Sequence, residues 1–586
     1  MKIQFCGATT GVTGSCHLIK TENHNVLLDC GQFQGGKAQD AMNRDPFPFD
    51  PKSVECMVLS HAHIDHCGRI PLLVKRGFRG PIYCTSATAD LLKVMLEDSA
   101  YIHEREAEWH TRKNKRAGEP EIKPLYTLED ADRALDLVKP VEYDQLIELN
   151  EDIRIVFNDA GHILGSAIIE LWVRERASDE VQHTVTGSDD STRINDETGK
   201  VRETKIVFSG DLGVMNRPIL RDPTIIKKAD CVIMETTYGN RLHPENAMDV
   251  RRLIDIIIKT TGRGGCVVIP AFAVGRTQEL LYELNNFYDE HTEFDDKLDK
   301  VKVYIDSPMA TTATEVFRRN AQVFDDEAKE KILSGDDPLD FRNLYFTRST
   351  EQSQSLNSNK DPKVIISASG MCEAGRIRHH LKHHLWDPRS SVVFVGYQGQ
   401  GTLGRALIDG LKDVTLFGEQ VHVNAEIYNL EGFSGHADQK GLFDWLAGFQ
   451  KKPSQLFLVH GEEEAKMAFA ELVKEKLGYD PVVLTGNSEY VLRQGENDLR
   501  VLNAEDAGDA AATDEDIQRV RNQIAEIRSS LESIMYNAQT ALEGNVSSDK
   551  VNRINNLLQD INKSSMDLAS TVIEEKAEYE QAEKPE

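Results

Sequence analysis

The chain lacks most of the features that would place it outside the cell or in a membrane. No C-x-x-C pair occurs, and the nine cysteines run singly from Cys6 to Cys372. An odd, scattered set excludes a disulfide framework and a zinc ribbon, and fits reduced thiols in a core. Nowhere do about 18 apolar residues follow one another, as a membrane-spanning helix would need. The opening Met1-Lys2-Ile3-Gln4-Phe5-Cys6 alternates like a strand, without the charged flank and apolar core of a secretory signal. A cytoplasmic protein with no membrane partner is expected. Positive charge is scarce too: 68 Lys and Arg against 96 Asp and Glu leave a formal net charge of −28. Non-specific coating of duplex nucleic acid, which needs a basic surface, is thereby disfavoured. A polyanionic substrate would have to be held locally, by metal ions, backbone amides and a few arginines.

What the chain does have is one segment dense in chemistry. Ser60-His61-Ala62-His63-Ile64-Asp65-His66-Cys67-Gly68 packs three imidazoles and a carboxylate into six residues, directly after the apolar run Cys56–Leu59. The ligands would sit on the loop at the C-terminal end of a buried strand. There His61 and His63 can face one ion while Asp65 and His66 face a second. Imidazole nitrogen and carboxylate oxygen suit zinc, with manganese or iron possible. Further strand ends offer the ligands that two ions need: His162 after Ile153–Asn158, Asp211 after Lys205–Ser209, and His460 after Leu456–Val459. The Asp211 carboxylate is suited to bridging both ions. Asp29, closing Val26-Leu27-Leu28, can orient a ligand imidazole from behind.

At 586 residues, two or more domains are expected. The first 170 residues alternate strand-like runs with helical patterns, which predicts an α/β fold. Residues 174–205 interrupt that pattern and are expected to form a long hairpin loop. A second α/β stretch carries strands at Cys231–Glu235, Cys266–Ile269, Val301–Ile305, Val364–Ser367 and Val392–Val395, the order of an inserted parallel-sheet domain. From residue 514 the period changes: Ile517, Val520, Ile524, Ile527, Leu531 and Ile534, then Val551, Ile554, Leu558, Ile561, Ser565, Leu568 and Val572, predict two heptad helices in a hairpin. Such narrow stripes need a partner, and a homodimer through these helices is expected.

These motifs together resemble the metallo-β-lactamase superfamily, and within it the β-CASP ribonucleases related to the cleavage and polyadenylation specificity factor endonuclease. The resemblance also rests on Glu235 in Met234-Glu235-Thr236-Thr237-Tyr238-Gly239, His436 in Gly432-Phe433-Ser434-Gly435-His436-Ala437-Asp438, and His460 in Val459-His460-Gly461-Glu462. Phe272–Thr277, Ser367–Arg376 and Gly396–Arg405 add to it. It covers most of residues 1–500. The fold it implies is an αββα sandwich built from residues 1–239 and 433–504, with a β-CASP α/β domain inserted at 240–432; the helical hairpin, 505–586, lies outside the shared core. It implies two zinc ions, or manganese: His61, His63 and His162 on the first, Asp65, His66 and His460 on the second, and Asp211 between them. Asp65 counts among the catalytic residues as well.

The activity implied is hydrolysis of single-stranded RNA, endonucleolytic, leaving 5′-phosphate and 3′-hydroxyl ends. His436 is the candidate general acid, with Glu235 holding its other nitrogen, and Arg276, Ser369 and Arg376 are candidates for gripping phosphates. A 5′-to-3′ exonuclease is the alternative. A non-catalytic scaffold of an RNA-processing complex is a third reading, opposed by the full ligand set. Histidine at position 460 favours RNA over DNA. His379, His380, His383 and His384 form i, i+4 pairs on a predicted helix but lack a nearby carboxylate ligand, so they are not read as a second metal site. Gly399, Gly401 and Gly404 match a dinucleotide-binding spacing without its context.

Overall fold

The apolar runs become the strands of two stacked mixed sheets and a third sheet that is parallel throughout. The computed structural model describes residues 1–501, except 36, 119, 177–200, 245, 292–297, 299, 400 and 493–496. The predicted heptad hairpin therefore lies outside the described residues.

The first sheet has eight strands, in the order Asn497–Val501, Ser488–Leu492, Lys2–Phe5, His17–Lys20, Asn25–Leu28, Cys56–Val58, Ile82–Thr85 and Val138–Val141. The second has seven, running Val482–Val483, Gln455–Val459, Cys231–Glu235, Val201–Phe208, Ala167–Arg176, Ile153–Asp159 and Ile147–Glu148. Their facing sides share one core: Ile3, Phe5, Val26, Leu28 and Val58 meet Phe157, Ile169, Ile206, Ile233 and Phe457. The outer sides are covered too. Leu456 and Leu458 alternate with Phe457 and Val459, and belong to a separate cluster with Leu446 and Phe469 of the helices Gln439–Ala447 and Glu463–Leu477. A strand buried on both faces reads as an unbroken apolar run, which is why Leu456–Val459 stood out in the sequence. Each such fully buried Leu or Phe contributes about 1.5–3 kcal/mol. The layers are helix, sheet, sheet, helix.

The third sheet runs Leu344–Phe346, Lys302–Ile305, Lys363–Ser367, Cys266–Pro270, Ser391–Phe394 and Glu426–Asn429. Parallel strands need cover on both faces. Leu280, Leu281, Val316 and Phe317 of Arg276–Glu290 and Pro308–Arg319 pack with Val267, Ile269, Val303 and Ile305. Ile377, Leu381 and Leu407 pack with Val268, Ile365 and Val392 on the other side.

The expected hairpin interruption at 174–205 is narrower than its composition implies. Ala167–Arg176 and Val201–Phe208 pair antiparallel, with Arg176 opposite Val201, so only residues 177–200 lie outside the description. The polar residues that masked these strand ends belong to a solvated face. Arg154 and Arg174 both reach Glu203, at 2.6 and 2.9 Å, and the Lys205 ammonium sits 4.8 Å from the centre of the Trp172 ring.

Strand Lys302–Ile305 delivers Asp306 into a fully buried position. Its oxygens meet Arg376 Nη1 at 2.7 Å, His380 Nε2 at 2.6 Å, Ser353 Oγ at 2.5 Å and the Thr347 hydroxyl. Burial alone would raise this carboxyl's pKa, but the bonds from His380, Ser353 and Thr347 outweigh it and hold the pKa well below the usual carboxylate range. A depressed pKa contributes stability that is present above the unfolded value, about 3.9, and is lost as the pH falls toward the folded one. In urea unfolding from about pH 6 down to about pH 3, Asp306→Asn is expected to lower stability at pH 6 and to flatten the acid limb of the curve. An acid limb as steep as that of the unaltered chain would show that Asp306 does not govern it.

Candidate metal centre

The segment 60–68 leaves strand Cys56–Val58 and closes at once into the short helix Ile64–Cys67. Neighbouring loops clamp it through backbone bonds: Cys30 N to His66 O at 2.8 Å, Ser15 N to Asp65 O at 2.8 Å, and Gln32 N to Ile64 O at 2.9 Å. Gly31 passes so close that a Cβ there would lie 1.6 Å from the Asp65 carbonyl oxygen. Asp29 and His460, neither of them glycine, hold left-handed φ values of 57° and 49° on either side of the cluster. Such conformations cost about 1–3 kcal/mol and persist only where the surroundings impose them.

Two groups of donor atoms result. His61 Nε2 lies 3.2 Å from His63 Nδ1, which lies 3.1 Å from His162 Nε2. His66 Nε2 and His460 Nε2 are 3.2 Å apart, with Asp65 Oδ2 at 3.5 Å from the latter. Asp211 stands between the groups and divides its oxygens. Oδ2 is 3.5 Å from both His61 Nε2 and His162 Nε2, and Oδ1 is 3.3 Å from His66 Nε2. Its Oδ1 is buried and accepts no hydrogen bond from the protein. Nitrogen lone pairs aimed at one point at about 3 Å repel unless a cation sits between them, so this donor set fits metal ions. Burial holds the pKa values of His61, His63 and His162 below the usual imidazole range, that of His63 at about 4, which leaves each ring neutral with a lone pair to give.

The far sides of the rings are held as well. His66 Nδ1 is 2.7 Å from Asp29 Oδ2, His61 Nδ1 is 3.1 Å from Ser60 Oγ, His162 Nδ1 is 3.0 Å from the Gly435 carbonyl oxygen, and His460 Nδ1 is 3.1 Å from Thr237 Oγ1. Asp29 also accepts from Ser60 N at 2.8 Å and from the hydroxyls of Ser60 and Ser15. A third cluster adjoins: His436 Nδ1 is 3.2 Å from Glu235 Oε1, and its ring centre is 4.5 Å from that of His162. Glu235 is buried and anchored by Leu212 N at 2.7 Å. Burial opposes a charge on His436, but Glu235 and then Asp211 outweigh it and raise its pKa.

Residues 18–186 match the model of a metallo-beta-lactamase superfamily domain, 277–407 a Beta-Casp domain, and 420–484 a Zn-dependent metallo-hydrolase RNA specificity domain. The chain is similar to Ribonuclease TTHA0252 of Thermus thermophilus, with 38% identity over 473 residues, 81% of this chain and 96% of that one. It is 30% identical to an RNase J-like protein of Methanocaldococcus jannaschii over 81% of this chain and 96% of that one. With the transcription termination factor FttA of the same organism it shares 29% over 83% of this chain and 71% of that one. The chain belongs to the β-CASP family of the metallo-β-lactamase superfamily. It is a metal-dependent hydrolase.

In this β-CASP protein a cavity of about 240 Å³ opens beside the donor groups, lined by His63, Asp65, His162, His436 and His460. Arg276 and Ser369 line it too. Arg276 is buried, its pKa pushed down to about 10 by burial, and it shares the Glu279 carboxylate with Arg217. Nothing in the sequence marked Arg217, a single arginine in a loop, nor Thr237 as the support of His460. Arg376 is placed elsewhere: it bonds Asp306 and the Arg348 carbonyl oxygen and does not line the cavity. The histidines of Ile377–His384 do not converge. His380 is spent on Asp306 and Asn357, and His379 stacks on Phe417 at 4.3 Å. The remaining apolar wall, with Met95, Ile163, Val274 and Phe317, limits water at one side.

Removing the charge behind His66 tests the role of the supporting carboxylate. Asp29→Asn is expected to fold and to bind metal about 10–100-fold more weakly, read by competition with a chromogenic chelator. Unchanged affinity would reduce Asp29 to a fold-maintaining residue.

Proposed function

We propose that the chain is a zinc-dependent ribonuclease that cuts single-stranded RNA internally and leaves 5′-phosphate and 3′-hydroxyl ends. The observation that carries this reading is the Asp211 carboxylate, one oxygen facing His61 and His162 and the other facing His66. In this reading His61, His63 and His162 hold one ion, Asp65, His66 and His460 the other, and Asp211 both. Bound there, two ions would supply the chemistry of lowering the pKa of a water and neutralising charge on the phosphoryl oxygens. The relatives named as ribonucleases and the match to an RNA specificity domain support RNA as substrate.

The chain's own residues do the rest. Arg276, its charge only half met by a Glu279 shared with Arg217, holds a phosphate next to the scissile one, and Ser369 donates to it from across the cavity. His436 gives a proton to the leaving 3′-oxygen. Glu235 fixes the ring through Nδ1, so Nε2 carries the proton that is delivered. The apolar wall limits the water that competes for these bonds. Nine buried, unpaired thiols suit a reducing, cytoplasmic setting, and among the described residues no helix is long and apolar enough to cross a membrane.

RNA labelled at either end, with a 5′-triphosphate or a 5′-monophosphate, separates the modes. Internal fragments from both substrates are expected. Mononucleotides from the monophosphate alone would establish the 5′-to-3′ exonuclease instead, and no cleavage of either would leave a scaffold. In the same assay His436→Ala should lose about 10²–10⁴-fold in turnover while retaining its metal; loss of metal would remove the acid assignment. Self-association through the heptads at 517–572 is part of this reading. Light scattering of the chain truncated after residue 505 should show a lower oligomeric mass, and an unchanged mass would exclude it.

A further inference from the structure

The helix Ser86–Ala117 is 32 residues long, and only its first part serves the cavity, through Met95. It is capped by Thr85, whose hydroxyl accepts from Thr88 N, and stopped by Gly118 at a φ of 75°. Its inner face is occupied: His103 packs edge-on against Tyr126 at 4.9 Å, Ala107 is buried, and Thr111 exchanges hydrogen bonds with Ile122 at 3.2 and 3.0 Å. The outer face carries Tyr101, Arg105, Trp109, Arg112 and Arg116, spaced three or four residues apart and so aligned in one stripe. Tyr101 and Trp109 are 54% and 60% exposed, and the side chains of Arg105 and Arg112 59% and 74%.

Exposed tryptophan is costly where it has nothing to bind, and here it is dressed with cations. Arg105 lies 5.2 Å from the Tyr101 ring centre, and Lys113 lies 5.8 Å from that of Trp109. Glu108 pairs with both Arg105 and Arg112 at 3.2 Å and aligns them. Beyond it, residues 109–117 hold Arg112, Lys113, Lys115 and Arg116 and no acid, in a chain whose net charge is −28. Aromatic faces interleaved with cations are what a single strand of nucleic acid needs, stacking for the bases and charge for the phosphates.

We infer that this stripe is a docking track for single-stranded RNA that leads toward the cavity, an inference that rests on the ribonuclease reading. At about 1.5 Å per residue, Tyr101, Trp109 and Arg116 stand roughly 9, 21 and 32 Å along the helix from Met95. An oligomer spanning only the cavity does not reach the tip, and a longer strand does.

The full-length, metal-loaded chain is titrated by fluorescence anisotropy at several salt concentrations with an unstructured long RNA and with a short oligomer, both carrying phosphorothioate linkages that slow cleavage. The combined Arg112→Gln, Lys113→Gln and Arg116→Gln variant is expected to bind the long RNA more weakly. Its slope of log affinity against log salt should shrink by about 2, the loss of three phosphate contacts at about 0.7 each. Trp109→Ala should weaken long-RNA binding about tenfold, one stacked base. Both should bind the short oligomer, and cleave its unmodified form, as the unaltered chain does. Long-RNA affinity and salt slope that do not change would overturn the track while leaving the ribonuclease reading intact. So would equal losses on both RNAs, or binding to anionic vesicles that RNA does not compete away. If the unaltered chain cleaves neither RNA, the ribonuclease reading fails and the track falls with it.

Discussion

The interaction on which the rest depends is the one around the buried carboxylate of Asp211. A lone carboxylate taken out of water at 2% exposure is expensive. It persists because imidazoles approach both its oxygens, His66 from one side and His61 and His162 from the other. Burial would raise its pKa, yet the imidazoles, His460 and His66 foremost, hold it well below the usual range. The side chains that achieve this come from loops at strand ends in both sheets of the sandwich. Register between those sheets is thus set at the site by polar contacts as well as in the core by Phe5, Phe157 and Phe457.

The parallel sheet is tied to the same point by different chemistry. Arg217 leaves the sandwich, donates to the carbonyl oxygens of Phe433 and Ser434, and pairs with Glu279 of the helix Arg276–Glu290. The stretch Phe433–His436 therefore hangs between the two parts. Gly435 within it accepts from His162 Nδ1, and His436 reaches Glu235. A shift of the parallel sheet against the sandwich would pull on His162 and His436 together. Donor geometry and the position of the candidate acid are one mechanical system.

Legibility in the sequence followed locality. The His61–His66 cluster could be read because its donors lie within six residues after an apolar strand, so chain connectivity alone brings them together. His162, Asp211 and His460 could be read because each ends a strand, and strand ends of one sheet layer share an edge. Arg217 and Thr237 could not, because what they do depends on Glu279 and His460, far away in sequence and adjacent only after folding. For the same reason Arg376 misled, and the partner of His380 could not be named. Both look like surface cations beside a glycine-rich loop, and it is Asp306, 70 residues before Arg376, that draws them inward. The ends of Ala167–Arg176 and Val201–Phe208 were hidden by polar composition, since a solvated strand face is hard to tell from a loop until its partner is known.

The acidic character of the chain also changes meaning once the site is seen. Asp29, Asp65, Asp211, Glu235 and Glu279 cluster around the cavity, against two guanidiniums among the described residues, Arg217 and Arg276. Before any charge on the imidazoles is counted, that is a deficit of three, which by itself would repel a phosphodiester. Two divalent ions, were the donor groups to hold them, would turn it into an excess of one. The net charge of −28 therefore says little about what the cavity accepts, because a field is set by the nearest charges in a low-dielectric cleft and the distant surface is screened within about 8–10 Å. Filling the metal centre of such an acidic site would favour a polyanion there, and so would couple substrate affinity to metal occupancy through charge as well as through chemistry.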